Sequence, residues 1–162
     1  MAGYWLAQLN LGRLRAPLDS PEVVDFVANL EPVNAVADAS PGFVWRLQTE
    51  EGNATALRAL GDDTLLVNMS VWESLEALVA FVYRSGHLDV LRRRREWFQV
   101  MSEAYLVLWW VEAGHIPSLA EGEERLLHLR RFGSSPHAFT FKEPQPAPGG
   151  ATASSSTAGI PL

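Results

Sequence analysis

Leu65-Leu66-Val67-Asn68-Met69-Ser70-Val71-Trp72-Glu73-Ser74 is the stretch on which the fold turns. Its branched and aromatic residues predict a strand over 65–72. Ser74 can cap the helix that follows, where Leu75, Leu78, Val79 and Val82 recur at helical spacing. Upstream, 4–11 is an apolar-rich strand. In Asp19-Ser20-Pro21-Glu22, Ser20 can cap, Pro21 suits the first helical turn and Glu22 complements the dipole. Val23, Phe26, Val27 and Leu30 then keep helical spacing until Pro32 forces a kink or an end. After the turn Ser40-Pro41-Gly42 comes a strand over 43–48, a hairpin signal at Glu51-Gly52-Asn53 and a short strand over 54–60.

Downstream, the second helix is expected to bend at Gly86 and run through Leu91 to Phe98. A strong strand over 105–111, an amphipathic helix over 118–131 and a short last strand over 139–141 follow. Reduced to its core, the order is β-α-β-β-α-β with a C-terminal helix: an α+β, ferredoxin-like antiparallel sheet with helices on one face. The opposite face then needs a cover, and a second copy is the expected one, making a homodimer. The domain is expected over 1–142. The Pro-, Gly-, Ala-, Ser- and Thr-rich segment 143–162 lacks the apolar surface to offset its ordering entropy and is expected to be a disordered tail.

Composition narrows the function. The 162 residues carry a formal charge of −6, which repels a nucleic-acid backbone. No cysteine is present, which excludes disulfides, thiolate metal sites and cysteine nucleophiles and fits a cytoplasmic home. No apolar run approaches the ~20 residues that span a bilayer, and 1–10 does not read as a signal peptide. Metal-ligand spacings, phosphate-binding glycine loops and the nucleophile elbow are all missing.

Strand alternation sorts side chains onto two faces. One set is wholly apolar: Trp5, Ala7, Leu9 and Leu11, then Phe43, Trp45 and Leu47, then Val67, Met69 and Val71, with Leu106, Leu108 and Trp110. The other gathers the polar groups Gln8, Asn10, Arg46, Asn68, Ser70 and Tyr105, together with Trp72 and Trp109. The plain reading sets the apolar face against the helices and the polar face in water or at a dimer seam. The functional reading makes those eight residues the lining of a hydrophobic small-molecule pocket, since pockets combine aromatic walls with a few convergent polar groups.

Among the histidines, His87 near Gly86 is the candidate general base, because an imidazole titrates near neutrality. His115, His128 and His137 read as caps or surface residues. The run Arg92-Arg93-Arg94-Arg95 spans just over one helical turn, so it cannot all face one partner. It reads as a solvated face, from which one member at most reaches an anionic substrate.

Gly42-Phe43-Val44-Trp45-Arg46, Val67-Asn68-Met69-Ser70-Val71-Trp72-Glu73-Ser74, Arg92-Arg93-Arg94-Arg95-Glu96-Trp97-Phe98 and Leu108-Trp109-Trp110-Val111 resemble the bacterial family DUF3291 over about 4–142. That family is similar to the dimeric α+β barrel superfamily of antibiotic-biosynthesis and haem-degrading monooxygenases. The resemblance implies a small-molecule enzyme of the monooxygenase-like type, acting without cofactor on a hydrophobic organic substrate by oxidation or isomerisation. It equally implies a non-catalytic ligand-binding dimer or a haem-binding protein. The haem-degrading branch places an Asn near the end of the first strand, matched by Asn10, but its Trp falls on Phe81 and its His near Leu91, one turn after His87.

Overall fold

A computed structural model describes residues 3–49, 55, 57–84 and 87–149, with His87 described by its backbone alone. In chain order the elements are β1 (Tyr4–Arg13), a short 3-10 turn (Pro21–Val23), α1 (Val24–Asp38), β2 (Phe43–Arg46), β3 (Leu65–Trp72), α2 (Leu75–Arg84), α3 (His87–Arg92), α4 (Arg94–Trp97), β4 (Leu106–Glu112) and α5 (Leu119–Phe132). Two of the starts, at Ser20 and Ser74, were legible as caps, and the structure adds a third at Ser118. Ser20 Oγ accepts from Glu22 N, Ser74 Oγ from Ala77 N and Ser118 Oγ from Glu121 N.

The strands lie in the order β2-β3-β1-β4, every neighbouring pair antiparallel. β1 therefore reaches β2 across β3, and β3 reaches β4 across β1, which interleaves two β-α-β units in the ferredoxin-like manner. The α+β class and its order are as the sequence predicts. Central register sets Leu6 opposite Trp72, Gln8 opposite Ser70 and Asn10 opposite Asn68. On the other side of β1, Leu6 faces Trp110 and Gln8 faces Leu108.

That register overturns the expected sorting of faces. Leu106, Leu108 and Trp110 share the face of Gln8, while Val107, Trp109 and Val111 share that of Leu9. β4 is apolar at every position from Leu106 to Val111, so its alternation carries no phase to read. In β2 a bulge between Phe43 and Trp45 switches parity, placing Phe43 opposite Trp72 and Trp45 opposite Val71.

The helices α1–α4 cover the Gln8 face rather than the wholly apolar one. Leu78 of α2 and Ala37 of α1 share a cluster with Leu6, Trp72 and Leu108. Val23, Trp97 and Phe98 share another with Leu66, joined by Phe26 of α1. The wholly apolar face carries α5: Leu126 and Leu129 pack with Leu9, Met69 and Trp109. Gly122 lets α5 approach this closely, since a Cβ there would meet Leu9 Cδ1 at 2.7 Å and Met69 Sδ at 3.0 Å.

Three expected elements differ. The long second helix is three separate helices, and its expected bend at Gly86 lies outside the described residues. Of the expected strand over 54–60, the described residues show one bridge, Arg58 with Leu66, and the hairpin signal before it lies outside the described residues. The strand over 139–141 is a single bridge, in which Phe139 and Leu108 exchange hydrogen bonds of 2.8 and 2.9 Å along the free edge of β4. Past the expected domain limit at 142, Trp110 Nε1 donates to Gln145 O at 2.8 Å. Residues 150–162 of the expected tail lie outside the described residues.

Candidate functional site

Gln8 lies at the centre of the helix-covered face and is only 5 % exposed. A buried amide must be hydrogen-bonded, and this one meets its partners across the strand pair. Gln8 Nε2 donates to Asn68 Oδ1 at 2.6 Å and to Ser70 Oγ at 2.8 Å. Asn10 Nδ2 donates to Gln8 Oε1 at 3.0 Å and to Asn68 Oδ1 at 3.3 Å. Trp72 Nε1 closes the chain on Ser70 Oγ at 2.8 Å. Four neutral side chains from β1 and β3 thus form one continuous polar ribbon.

Apolar plugs bound the ribbon at both ends. At the Trp72 end, Phe81 stacks on the indole with centroids 5.1 Å apart, and Phe43 meets it edge-on. At the other end the ring of Phe98 lies over Gly12, where a Cβ would come within 2.5 Å of it, and Phe26 meets Phe98 edge-on at 5.0 Å. Between the plugs the face is open. Asn68, in the middle of a central strand, is exposed, and Asn10 is half-buried. α1 carries a stripe of Phe26, Leu30, Val33 and Ala37, spaced to face one way. Its ends reach the two plugs, whereas Leu30 and Val33 are half-buried and join none of the apolar clusters formed by the described residues. Between those docked ends, the amides of the sheet and the aliphatic stripe of α1 make the candidate groove.

Tyr105, Arg94 and Tyr83 mark one side of this groove. The Arg94 guanidinium lies 4.5 Å over the Tyr105 ring and 5.0 Å over that of Phe98. Burial pushes the Arg94 pKa down, opposed by the Tyr105 phenol beside it. Burial also raises the Tyr83 phenol, with Tyr105 adding to the effect, and Tyr83 packs edge-on against Phe141.

The structure therefore gathers Gln8, Asn10, Asn68 and Ser70 as expected, with Tyr105 at the margin. Arg46 is opposite Ser70 in register, and its guanidinium forks onto Asp38 at the end of α1 at 2.8 and 3.3 Å. Trp72 is fully buried, so it is a plug rather than a wall. Trp109 is not in the groove at all. It points to the opposite face, fully buried, and its Nε1 donates to Glu121 Oε2 at 2.9 Å. The side chain of His87 lies outside the described residues. Sequence reasoning missed Arg94, although it stands four residues before Phe98, the spacing that stacks two side chains on one helical face.

His115 contacts Glu121 and His137 contacts Glu124, while His128 lies on α5 beside His137. Phe81 and Leu91, at the positions compared with the haem-degrading branch, offer no metal ligand. Among the described residues no group of three His, Cys, Asp or Glu could hold a metal ion. Two surface hollows, of about 160 Å³ beside Arg13 and Val100 and about 570 Å³ beside Gly42 and Ala77, lie away from the ribbon. No helix among the described residues is long and apolar enough to cross a membrane.

An antiparallel sheet in this order, with crossover helices on one face and a polar-floored groove beneath them, defines a ferredoxin-like α+β domain. The chain belongs to the family DUF3291, a domain of unknown function, whose model matches residues 5–155. No curated protein matches it. Among solved structures it is similar to a conserved protein from Methanosarcina mazei Go1, at 13 % identity and a TM-score of 0.45 over 66 % of this chain and 90 % of that one. It is also similar to SnoaB, a cofactor-independent oxygenase from Streptomyces nogalater, at 18 % identity and a TM-score of 0.45 over 69 % of this chain and 95 % of that one. A putative antibiotic biosynthesis monooxygenase from Chloroflexus aurantiacus J-10-fl follows at 14 % and 0.41, over 71 % and 98 %.

Proposed function

We propose that the groove binds an apolar organic molecule and holds its carbonyl or hydroxyl oxygen against the amide ribbon. Asn68 carries this reading. It is a polar side chain exposed in mid-strand beneath a helical layer, and its Oδ1 is engaged by Gln8 and Asn10. Its Nδ2 has no partner among the described residues. Ser70 Oγ accepts from both Gln8 and Trp72, which leaves its own O–H to donate. Two donors on the floor of an aliphatic-walled groove suit a single acceptor oxygen. Tetralone and its hydrocarbon counterpart tetralin test this by displacement of fluorescent phenylnaphthylamine. Asn68→Ala should weaken tetralone by about tenfold, a hydrogen bond's worth, and leave tetralin unchanged. Equal binding of tetralone to both proteins would remove the role of Asn68.

The enzymatic form of this reading is a monooxygenase-like reaction that needs no cofactor. Loss of a proton from the carbon beside the bound carbonyl leaves an enolate, whose oxygen the same donors would stabilise more strongly than the neutral ketone. That enolate can pass an electron to dioxygen and recombine with it, or be reprotonated elsewhere, which isomerises the ligand. His87, the first residue of α3, is the proposed base. Exchange of deuterium from the carbon next to the tetralone carbonyl isolates this step. His87→Ala should retain the fold and tetralone binding and lose exchange by about 10²- to 10⁴-fold; normal exchange would rule the role out.

A further inference from the structure

Arg94 differs from four other arginines of the fold. Arg13, Arg46, Arg93 and Arg130 each reach a carboxylate within 3.2 Å. Arg94 pairs with no carboxylate among the described residues. Its Nη2 donates to Leu11 O at 2.7 Å, and its guanidinium is sandwiched by Phe98 and Tyr105. Leu11 directly follows Asn10, and Phe98 covers Gly12, which shares the face of Gln8 and Asn10. A half-buried cation, held in place by a carbonyl and two rings, therefore lies at the end of the ribbon with no carboxylate partner among the described residues. Removing a guanidinium from water without an anion is costly, and a fixed guanidinium recognises planar anions through its fork.

We propose that Arg94 is the anion-binding residue of the groove, and that the ligand is a ring-bearing organic acid. Its carboxylate or ionised hydroxyl would meet Arg94 while its neutral oxygen meets Asn68. This inference rests on the reading of the groove as a ligand site and adds the charge class of the ligand. Rings suit the site because Phe98 and Tyr105 flank the guanidinium and Leu30 and Val33 wall the groove above. A single carboxylate or phenolate suits it better than a polyphosphate. Among the described residues Arg94 is the cation at this end of the ribbon with no carboxylate partner, and the chain's net charge of −6 repels a highly charged ligand.

Two fluorescent probes with the same ring systems separate charge from shape: anilinonaphthalene sulfonate, an anion, and uncharged phenylnaphthylamine. Wild-type protein should bind both. Arg94→Gln should weaken the sulfonate by about 10- to 100-fold and change the uncharged probe less than about twofold, with Arg94→Lys recovering part of the loss. Unchanged sulfonate binding by Arg94→Gln overturns the proposal. So does an equal loss of both probes, which would make Arg94 a prop for Leu11 and Tyr105. Val33→Trp, which fills the groove from α1, keeps the two readings apart. If both probes still bind Val33→Trp, the groove is not their site and the ligand reading fails. If Val33→Trp excludes both while Arg94→Gln keeps the sulfonate, only the assignment of Arg94 fails.

Discussion

Gln8 Nε2 lies 2.6 Å from Asn68 Oδ1, across the pairing of β1 with β3. One end of this bond is buried and the other exposed, so its two residues do different work. Gln8 spends its donors on Asn68 and Ser70 and its oxygen on Asn10, which fixes the floor of the groove. Asn68 is oriented by that floor and turns its amide nitrogen outward.

Gln8→Leu should accordingly destabilise the protein by about 1–3 kcal/mol, because Ser70 and Asn10 lose a partner next to buried surface. For a domain of this size that is a fall in Tm of about 3 to 10 °C. Asn68→Ala, at an exposed position, should shift Tm by no more than about 2 °C while altering ligand binding. Thermal scans of the two variants side by side would contradict the division of roles if Asn68→Ala proved the more damaging.

The close approach of α5 gives a second expectation. Gly122→Leu would place a side chain where Leu9, Met69 and the Trp109 ring already lie within 3.3 Å of a Cβ. Overpacking of this kind costs about 1–3 kcal/mol, more than a leucine's gain in helix propensity of about 1 kcal/mol. The urea midpoint should fall. A rise would mean that α5 does not rest on the sheet at Gly122.

Most of the scaffold was legible. Ser20 and Ser74 announced helix starts, and the strand over 65–72 kept its alternation of Asn68 and Ser70 against Val67, Met69 and Val71. The floor residues were found for the same reason: polar groups in an apolar strand declare their parity. Trp109 was misplaced because β4 is apolar on both faces, so only the register with β1 sets its phase. The face chosen by the helices was illegible too. Leu6, Trp72 and Leu108 supply enough apolar surface beside the amides to dock α2, while the wholly apolar face was left for α5. Helices thus lie on both faces of the sheet, α5 on one and α1–α4 on the other. Arg94 was hidden in its run because Arg93 and Arg94 part company at the break between α3 and α4. The former turns out to Asp25 and Glu96, the latter in to Leu11.

The boundary of the domain can be placed by truncation. Trp110 Nε1 donates to Gln145 O, beyond the limit of 142 drawn from composition. A chain ending at 142 should be less stable than one ending at 149 by about 1 kcal/mol, one hydrogen bond to a half-buried indole. Equal urea midpoints for the two would show that this contact adds nothing in solution.

Glu121 supplies a pH-dependent link between α5 and the sheet. Its Oε2 accepts from Trp109 Nε1 at 2.9 Å and its Oε1 meets His115 Nε2 at 2.7 Å. Partial burial pushes its pKa up, but the His115 and Trp109 hydrogen bonds outweigh this and leave it below the ordinary glutamate value. A folded-state pKa below the unfolded one means that the ionised carboxylate stabilises the fold. That contribution is complete above the ordinary glutamate range and is lost as pH falls through the lowered folded value. Glu121→Gln can still accept from Trp109 through its amide oxygen, but it removes the charge and one acceptor. The variant should be less stable than wild type by about 1 kcal/mol at pH above about 6, after allowance for solvent screening at this half-buried site. The difference should shrink as pH drops below about 4. His115→Ala should reproduce part of the loss near neutrality, and the double variant should lose less than the sum. Urea midpoints for the four proteins from neutral to acid pH decide it. A difference between wild type and Glu121→Gln that stayed constant into acid would mean that the carboxylate charge is not what ties α5 to Trp109.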